Sequence, residues 1–254
     1  MKKTLLILVL SVTAIASQPQ FKKGKQTLVD FRRPTQRTMP RISAATQRAV
    51  LSRLFRRYLN DENKCNPQFE ASGNDRLRAA RNAGQIVPSI SDVATGSFTA
   101  AGRTETAYVI SVSECNATHA DNFGTKRVAI FSGQQLVADI DADFRSGIAL
   151  KTDLNSDGID ELIMTTGDMA QGTLIEIAAL LSFQNGRMQV IQDLGTVVED
   201  SCASGFPGSS AKASVISMSN VVPGQMPKLN VDNYVANCRT PRRWRFLSSG
   251  RMQE

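Results

Sequence analysis

From Gln85 onward the apolar residues come in short runs of Val, Ile, Leu and Phe, broken by Gly, Asn and Ser. Runs of that length and composition predict strands, not helices. Arg127–Phe131, a turn at Ser132-Gly133-Gln134 and Leu136–Ile140 read as a hairpin. Ala178–Phe183, a turn at Gln184–Arg187 and Met188–Ile191 read as another, with Asn185-Gly186 as a strong turn signal. Trp244–Leu247, Ser248-Ser249-Gly250 and Arg251-Met252 read as a third, shorter one. Upstream the period changes. Ile42, Ala45, Ala49, Val50, Leu54, Tyr58 and Leu59 recur at helical spacing and predict an amphipathic helix ending near Asn60-Asp61. A second, shorter helix is predicted over 74–83, with Asn74 as its cap and Gly84 as its stop. Residues 18–40 contain Gly24, Pro34 and Pro40 and no sustained period, which reads as an extended linker.

The strand region is internally similar. Residues 96–108 align with 152–164, so that Gly102 and Gly158 coincide, as do Glu105 and Glu161. Ala211–Ile216 aligns as a degenerate third copy. A period of this size is that of four-stranded sheets stacked as blades. The expected fold is mainly β: about three blade-like antiparallel units, partial propeller-like or an open stack, preceded by one or two α-helices. Three units are too few for a closed monomeric propeller. The expected organisation is a signal peptide over 1–17, a basic linker over 18–40, a helical segment over 41–84 and a β-repeat domain over 85–254.

The first of these segments sets the expected compartment. Met1-Lys2-Lys3 is a basic start, Thr4–Val12 is almost wholly aliphatic, and Ala14-Ile15-Ala16 supplies the small residues of a cleavage site. That is a secretory signal and too short an apolar run for a membrane span. The predicted location is periplasmic or secreted, with no transmembrane segment after signal removal.

Charge is distributed unevenly. The 254 residues hold 30 Lys+Arg against 23 Asp+Glu. Residues 22–57 carry eleven basic residues and one acid, Asp30, whereas 58–254 are net acidic. The chain is therefore a basic arm on an acidic body. Nucleic acid is excluded as a partner, since the arm has no interleaved aromatics and the chain is read as exported. An anionic envelope surface fits the arm as a functional reading; a solvated linker running into the polar face of a helix is the simpler account.

Export also governs the cysteines. Cys65, Cys115, Cys202 and Cys238 form an even set with no C-x-x-C pair, which points to disulfides and away from zinc or thioredoxin-type chemistry. Of the three connectivities, Cys65–Cys115 and Cys202–Cys238 each close a moderate loop within one half of the chain. The single His119 lies in a polar stretch, Asn116–Asn122, and reads as a loop residue rather than the partner of a catalytic Cys.

One stretch carries ligand chemistry. Asp153, Asn155, Asp157 and Glu161 occupy positions 1, 3, 5 and 9 of a loop, and the Ile159 carbonyl falls at position 7. Calcium takes six to eight hard oxygens, and alternating oxygens on a tightly curved loop supply them. Gly158 permits the curvature. Position 12 is Met164, where an EF-hand requires Glu, and 162–164 continue as a strand. The expected site is thus strand–loop–strand, with Asp153, Asn155, Asp157, Ile159 and Glu161 around a structural calcium. The same residues resemble the D-x-D-x-D-G-x-x-D/E loop of FG-GAP (VCBS-type) repeats, and Gly96-Ser97-Phe98 resembles the Gly-x-Phe start of such repeats. The resemblance implies a calcium-loop β-repeat protein of the exported bacterial kind, with those five residues as ligands. Copy one departs from it, with Ser97, Thr99 and Ala101 at the ligand positions, and is expected to bind no metal.

Two other clusters are weaker. Asp139, Asp141 and Asp143 alternate along a strand and read as a solvated face, although such a row could also hold a metal or two catalytic carboxylates. Arg239, Arg242, Arg243 and Arg245 surround Trp244, which reads as a core residue covered by arginine stems. With one His, no nucleophile elbow and no Ser-His-Asp order, the expected function is a non-enzymatic binding or structural module acting on an envelope or extracellular protein or glycan. The alternatives are a secreted hydrolase using acids near 139–161 and an envelope-anchoring factor acting through the arm.

Overall fold

The computed structural model describes residues 24–33, 42–55, 78–80, 83–115, 125–143, 145–219, 222–250 and 252. The expected signal segment over 1–17, Cys65, Asn74 and His119 lie outside these residues. What it describes is mainly β, with helix ahead of most of the strands, as the patterning predicts.

Strands β2 (Ile86–Gly96), β3 (Glu105–Glu114), β4 (Thr125–Ser132) and β5 (Gln135–Asp141) form a four-stranded antiparallel meander. Strands β6 (Gly147–Thr152), β7 (Glu161–Ala170), β8 (Thr173–Ser182) and β9 (Gln189–Asp200) form a second. Both predicted internal hairpins, β4–β5 and β8–β9, are present. The third unit is built differently. Strand β10 (Ser210–Met218) pairs along its whole length with β11 (Leu229–Asn237), which pairs with β12 (Arg245–Ser249). The other edge of β10 is shared. Ala211–Ala213 pair with the end of β9, and Val215–Met218 pair with β1 (Gln26–Asp30). The second and third units are therefore joined into one strongly curled sheet.

Two sequence expectations change here. Residues 26–30, within the expected linker, are a strand, because Val29 and Phe31 are apolar and bury against the second unit. The expected turn at Ser248-Ser249-Gly250 is instead largely strand. Ser248 pairs with Asn233 and Ser249 with Asp232, whose carboxylate accepts the Ser249 hydroxyl at 2.8 Å.

The units stack face to face. In β7 and β8, Leu162, Met164, Ala179 and Leu181 pack against Val109, Val128 and Ile130 of the first unit. The intervening Ile163, Ala178 and Leu180 pack on the opposite face with Val29, Ile216 and Val231. Strands buried on both faces need no polar alternation, which is why Leu162–Met164 and Ala178–Leu181 read as continuous apolar runs. The outer face of the first unit is covered by α1 (Ala44–Phe55) through Val50, Leu51 and Phe55. Ser43 caps this helix, its hydroxyl accepting the Thr46 N–H at 3.1 Å. The second predicted helix is helical at 78–80, and Gly84 follows with φ of +68°, the conformation expected of its stop.

Curling of the sheet has a local cause. The β8–β9 ladder slips three times, leaving Ile191, Leu194 and Val197 as extra residues on β9. Each slip bends the strand and delivers one more side chain toward the second core. Leu194 and Val197 are fully buried there.

Candidate functional site

The predicted calcium loop connects β6 to β7 and is wound on its own side chains. The Asp153 carboxylate accepts the N–H groups of Asp157 (3.2 Å) and Gly158 (2.9 Å). Asn155 Oδ1 accepts Asp157 N–H at 3.2 Å, and Asp157 Oδ1 accepts Ile159 N–H at 2.8 Å. Asn155 Nδ2 donates to the second Asp157 oxygen at 3.0 Å. Short Asx side chains bonding backbone N–H groups two to five residues ahead hold the chain in a tight coil. Ser156 and Gly158 take positive φ, +60° and +83°, to complete it. Leu154 and Ile159 anchor the loop by burying their side chains.

Glu161 opens β7 and is 2% exposed. Its Oε2 accepts Leu154 N–H at 2.9 Å. Burial, followed by the Asp157 and Asp153 charges, pushes its pKa up to about 7 against the opposing effect of the Leu154 bond. Among the described residues no cation pairs with Glu161. The loop's acids are thus electrostatically coupled, yet no three His, Cys, Asp or Glu side chains among the described residues form a ready-made metal cluster. The remaining predicted donors, the Asn155 amide oxygen and the Ile159 carbonyl, are also hard oxygens. The donor chemistry fits calcium.

Copy one repeats the arrangement with a different filling. Glu105 opens β3, is 1% exposed, and accepts N–H bonds from Phe98 (2.9 Å) and Thr99 (2.8 Å). The Thr99 hydroxyl bonds its other oxygen. Here a cation is built in: an Arg103 guanidinium nitrogen lies 3.9 Å from Glu105 Oε1. Ile159 stands at the matching place in copy two, 56 residues on.

The two loops touch. Asp160 N–H donates to the Ser97 carbonyl at 2.6 Å, and Ser97 N–H donates to Asp160 Oδ2 at 2.8 Å. Lys151 pairs with Asp160 at 3.2 Å. Sequence reasoning passed over Asp160, and its match in copy one is Thr104, so the repeat offered no signal for it. Gly96 did stand out, and the approach of Asp160 accounts for it. A Cβ on Gly96 would lie 2.3 Å from Asp160 Oδ2.

The other candidates separate. Asp139 pairs with Arg127 at 2.7 Å, Asp143 with Arg145 at 3.2 Å, and Asp141 accepts Asp143 N–H at 2.9 Å. All three acids are exposed, and Asp143 leaves the strand with φ of +47°. They are a solvated row that ends in a turn. Trp244 packs against the second core, and Arg242 pairs with Asp200 at 2.6 Å. Cys202 and Cys238 are joined, and Cys115 is disulfide-bonded; Cys65, its predicted partner, lies outside the described residues. In the basic arm, Lys25 pairs with Asp232 and Arg32 with Asp30, and the Arg32 guanidinium sits 4.3 Å over the Tyr234 ring. Among the described residues no helix is long and apolar enough to cross a membrane.

No protein-family model, curated protein or solved structure matches the chain.

Proposed function

We propose that this chain is a secreted or periplasmic β-repeat module with a binding or structural role, stabilised by calcium held in the Asp153–Glu161 loop. The observation that carries the reading is the contrast between the two buried glutamates. Glu105 has Arg103 beside it, whereas among the described residues the charges acting on Glu161 are those of further acids, Asp157 and Asp153. A buried carboxylate among like charges is costly, and a divalent cation offsets that cost. Asp153, Asn155, Asp157, Glu161 and the Ile159 carbonyl would hold the ion. Bound calcium would supply positive charge that ties the loop to the start of β7, a structural role. The loop's likeness to FG-GAP repeats supports the same reading, as does the signal-like N-terminus for export. Partners then lie in the envelope or outside it, as proteins or glycans, and the basic residues of 22–57 offer contact to an anionic surface.

The test is thermal unfolding of the oxidised protein in EDTA and in excess calcium, for wild type and Asp157→Ala. A ligand at a hundredfold excess over its Kd stabilises by about 2.7 kcal/mol. In a domain of this size that is on the order of 5–10 °C. Asp157→Ala removes the shift. A wild-type midpoint that ignores calcium makes the loop a plain Asx turn and removes the proposal.

A further inference from the structure

We infer that β12 is a docking edge for an extended acidic polypeptide segment, which joins the curled sheet as an additional strand. The inference is independent of whether the Asp153–Glu161 loop takes calcium. Among the described residues, strand β12 ends its sheet and is paired only on the β11 side. Among the described strands it alone has every residue exposed. Its outer edge therefore presents backbone donors and acceptors to solvent, the template on which strand addition works. The strand is fastened from within: Phe246 stacks edge-on against Tyr234 at 5.7 Å. Yet Phe246 is 60% exposed and Leu247, at a register shift in the ladder, 53%. These leave apolar surface for side chains of an incoming strand.

Charge chooses the occupant. Arg239, Arg243 and Arg245 are exposed and have no ion-pair partner among the described residues, while neighbouring Arg242 is held by Asp200. A second copy would bring one arginine group toward another. An acidic segment neutralises them and gains the ladder bonds as well. At the far end of β12, Ser249 and Gly250 help line an open groove of about 720 Å³ together with Lys228, which gives the segment room to continue.

The experiment uses the oxidised full-length mature protein and a fluorescent alternating Glu-Val decapeptide, with the Lys-Val decapeptide as control, read by anisotropy. The Glu-Val probe binds, the Lys-Val probe does not, and Arg243→Glu/Arg245→Glu weakens binding at least tenfold. Amide hydrogens of residues 245–249 gain protection from exchange when the probe is added. Of the two forms of the probe N-methylated at alternate residues, the one whose methyls meet β12 binds at least tenfold more weakly. If both methylated forms bind like the parent, the contact is a polyanion on arginines and strand addition is wrong. Absence of binding, or protection that appears elsewhere than 245–249, also overturns the inference.

Discussion

Glu105 and Glu161, 56 positions apart, each accept a backbone N–H from the residue seven places earlier, Phe98 and Leu154, both at 2.9 Å. Each glutamate opens the second strand of a four-stranded unit, and each is shut away from solvent. The likeness of residues 96–108 to 152–164 is thus a likeness of structure: one carboxylate ties the loop back to the strand that follows it. What differs is the neutralising charge: Arg103 in one unit and, among the described residues, none in the other.

That difference predicts an unusual pH dependence. Glu161 has an ordinary pKa of 4.5, raised to about 7 in the fold. Between those values the folded chain holds a proton that the unfolded chain has released. Stability from this group is therefore full below about pH 4.5 and is lost as pH rises toward 7, by up to about 1.4 kcal/mol per pH unit. Asp30 and Asp232 behave oppositely: the Arg32 pair holds Asp30 down, and for Asp232 burial is outweighed by the bonds from Lys25 and Ser249, so both pKa values are lowered and their contribution is lost only in stronger acid. Urea midpoints in EDTA at pH 5 and pH 8 read the effect. Glu161→Gln keeps an acceptor for Leu154 N–H and flattens the slope, so that the variant is the more stable protein at pH 8. A wild type and variant with parallel pH profiles would sink the prediction.

The contact between loops makes a second prediction. Gly96→Ala sets a methyl carbon against Asp160 Oδ2, so Asp160 must move and its bonds with Ser97 are strained or lost. Losing such bonds costs about 1–3 kcal/mol. Gly102→Ala serves as the control. It shares a positive φ with Gly158 but has no heavy atom near its would-be Cβ, so only backbone strain of about 1 kcal/mol applies. Chemical denaturation of the two variants side by side checks the order.

Periodicity exposed the repeat and two hairpins because each apolar run there belongs to one strand with a local partner. It could not expose β1. Residues 26–30 are a short polar-flanked segment whose partner, β10, lies nearly two hundred residues away, and only tertiary pairing makes them a strand. The Ser248–Ser249 turn signal failed for the same reason: the Asp232 and Asn233 partners override the local preference of Ser for turns. In the site, the Asx spacing gave the loop, since each of those side chains bonds within a few residues. Asp160 escaped because its work is done on Ser97, in the other copy.

The Cys202–Cys238 bridge is expected to matter more than its partly exposed position suggests. It closes a loop of 36 residues that contains β10 and β11. Chain entropy assigns such a closure about 4 kcal/mol. The double variant Cys202→Ser/Cys238→Ser should lose most of that in urea under oxidising conditions, which leave the Cys115 disulfide intact. A loss under about 1 kcal/mol would mean that β1 and β9 already hold β10 in place.

The bulged course of β9 supplies the last prediction. Leu194 is an extra residue in the ladder and is fully buried between the second and third units, whereas Ile175 on the neighbouring strand is 47% exposed. If the slips exist to deliver side chains into the core, Leu194→Ala opens a cavity where two units meet and costs about 2–5 kcal/mol. Ile175→Ala, on open sheet, should stay within about 0.5 kcal/mol of wild type. Because Leu194 packs with Ile216 and Val231 as well as Leu180, its loss should also speed amide exchange in β10 and β11. Exchange that quickens only within β8 and β9 would show that the bulges shape their own hairpin and do not bind the third unit to the second.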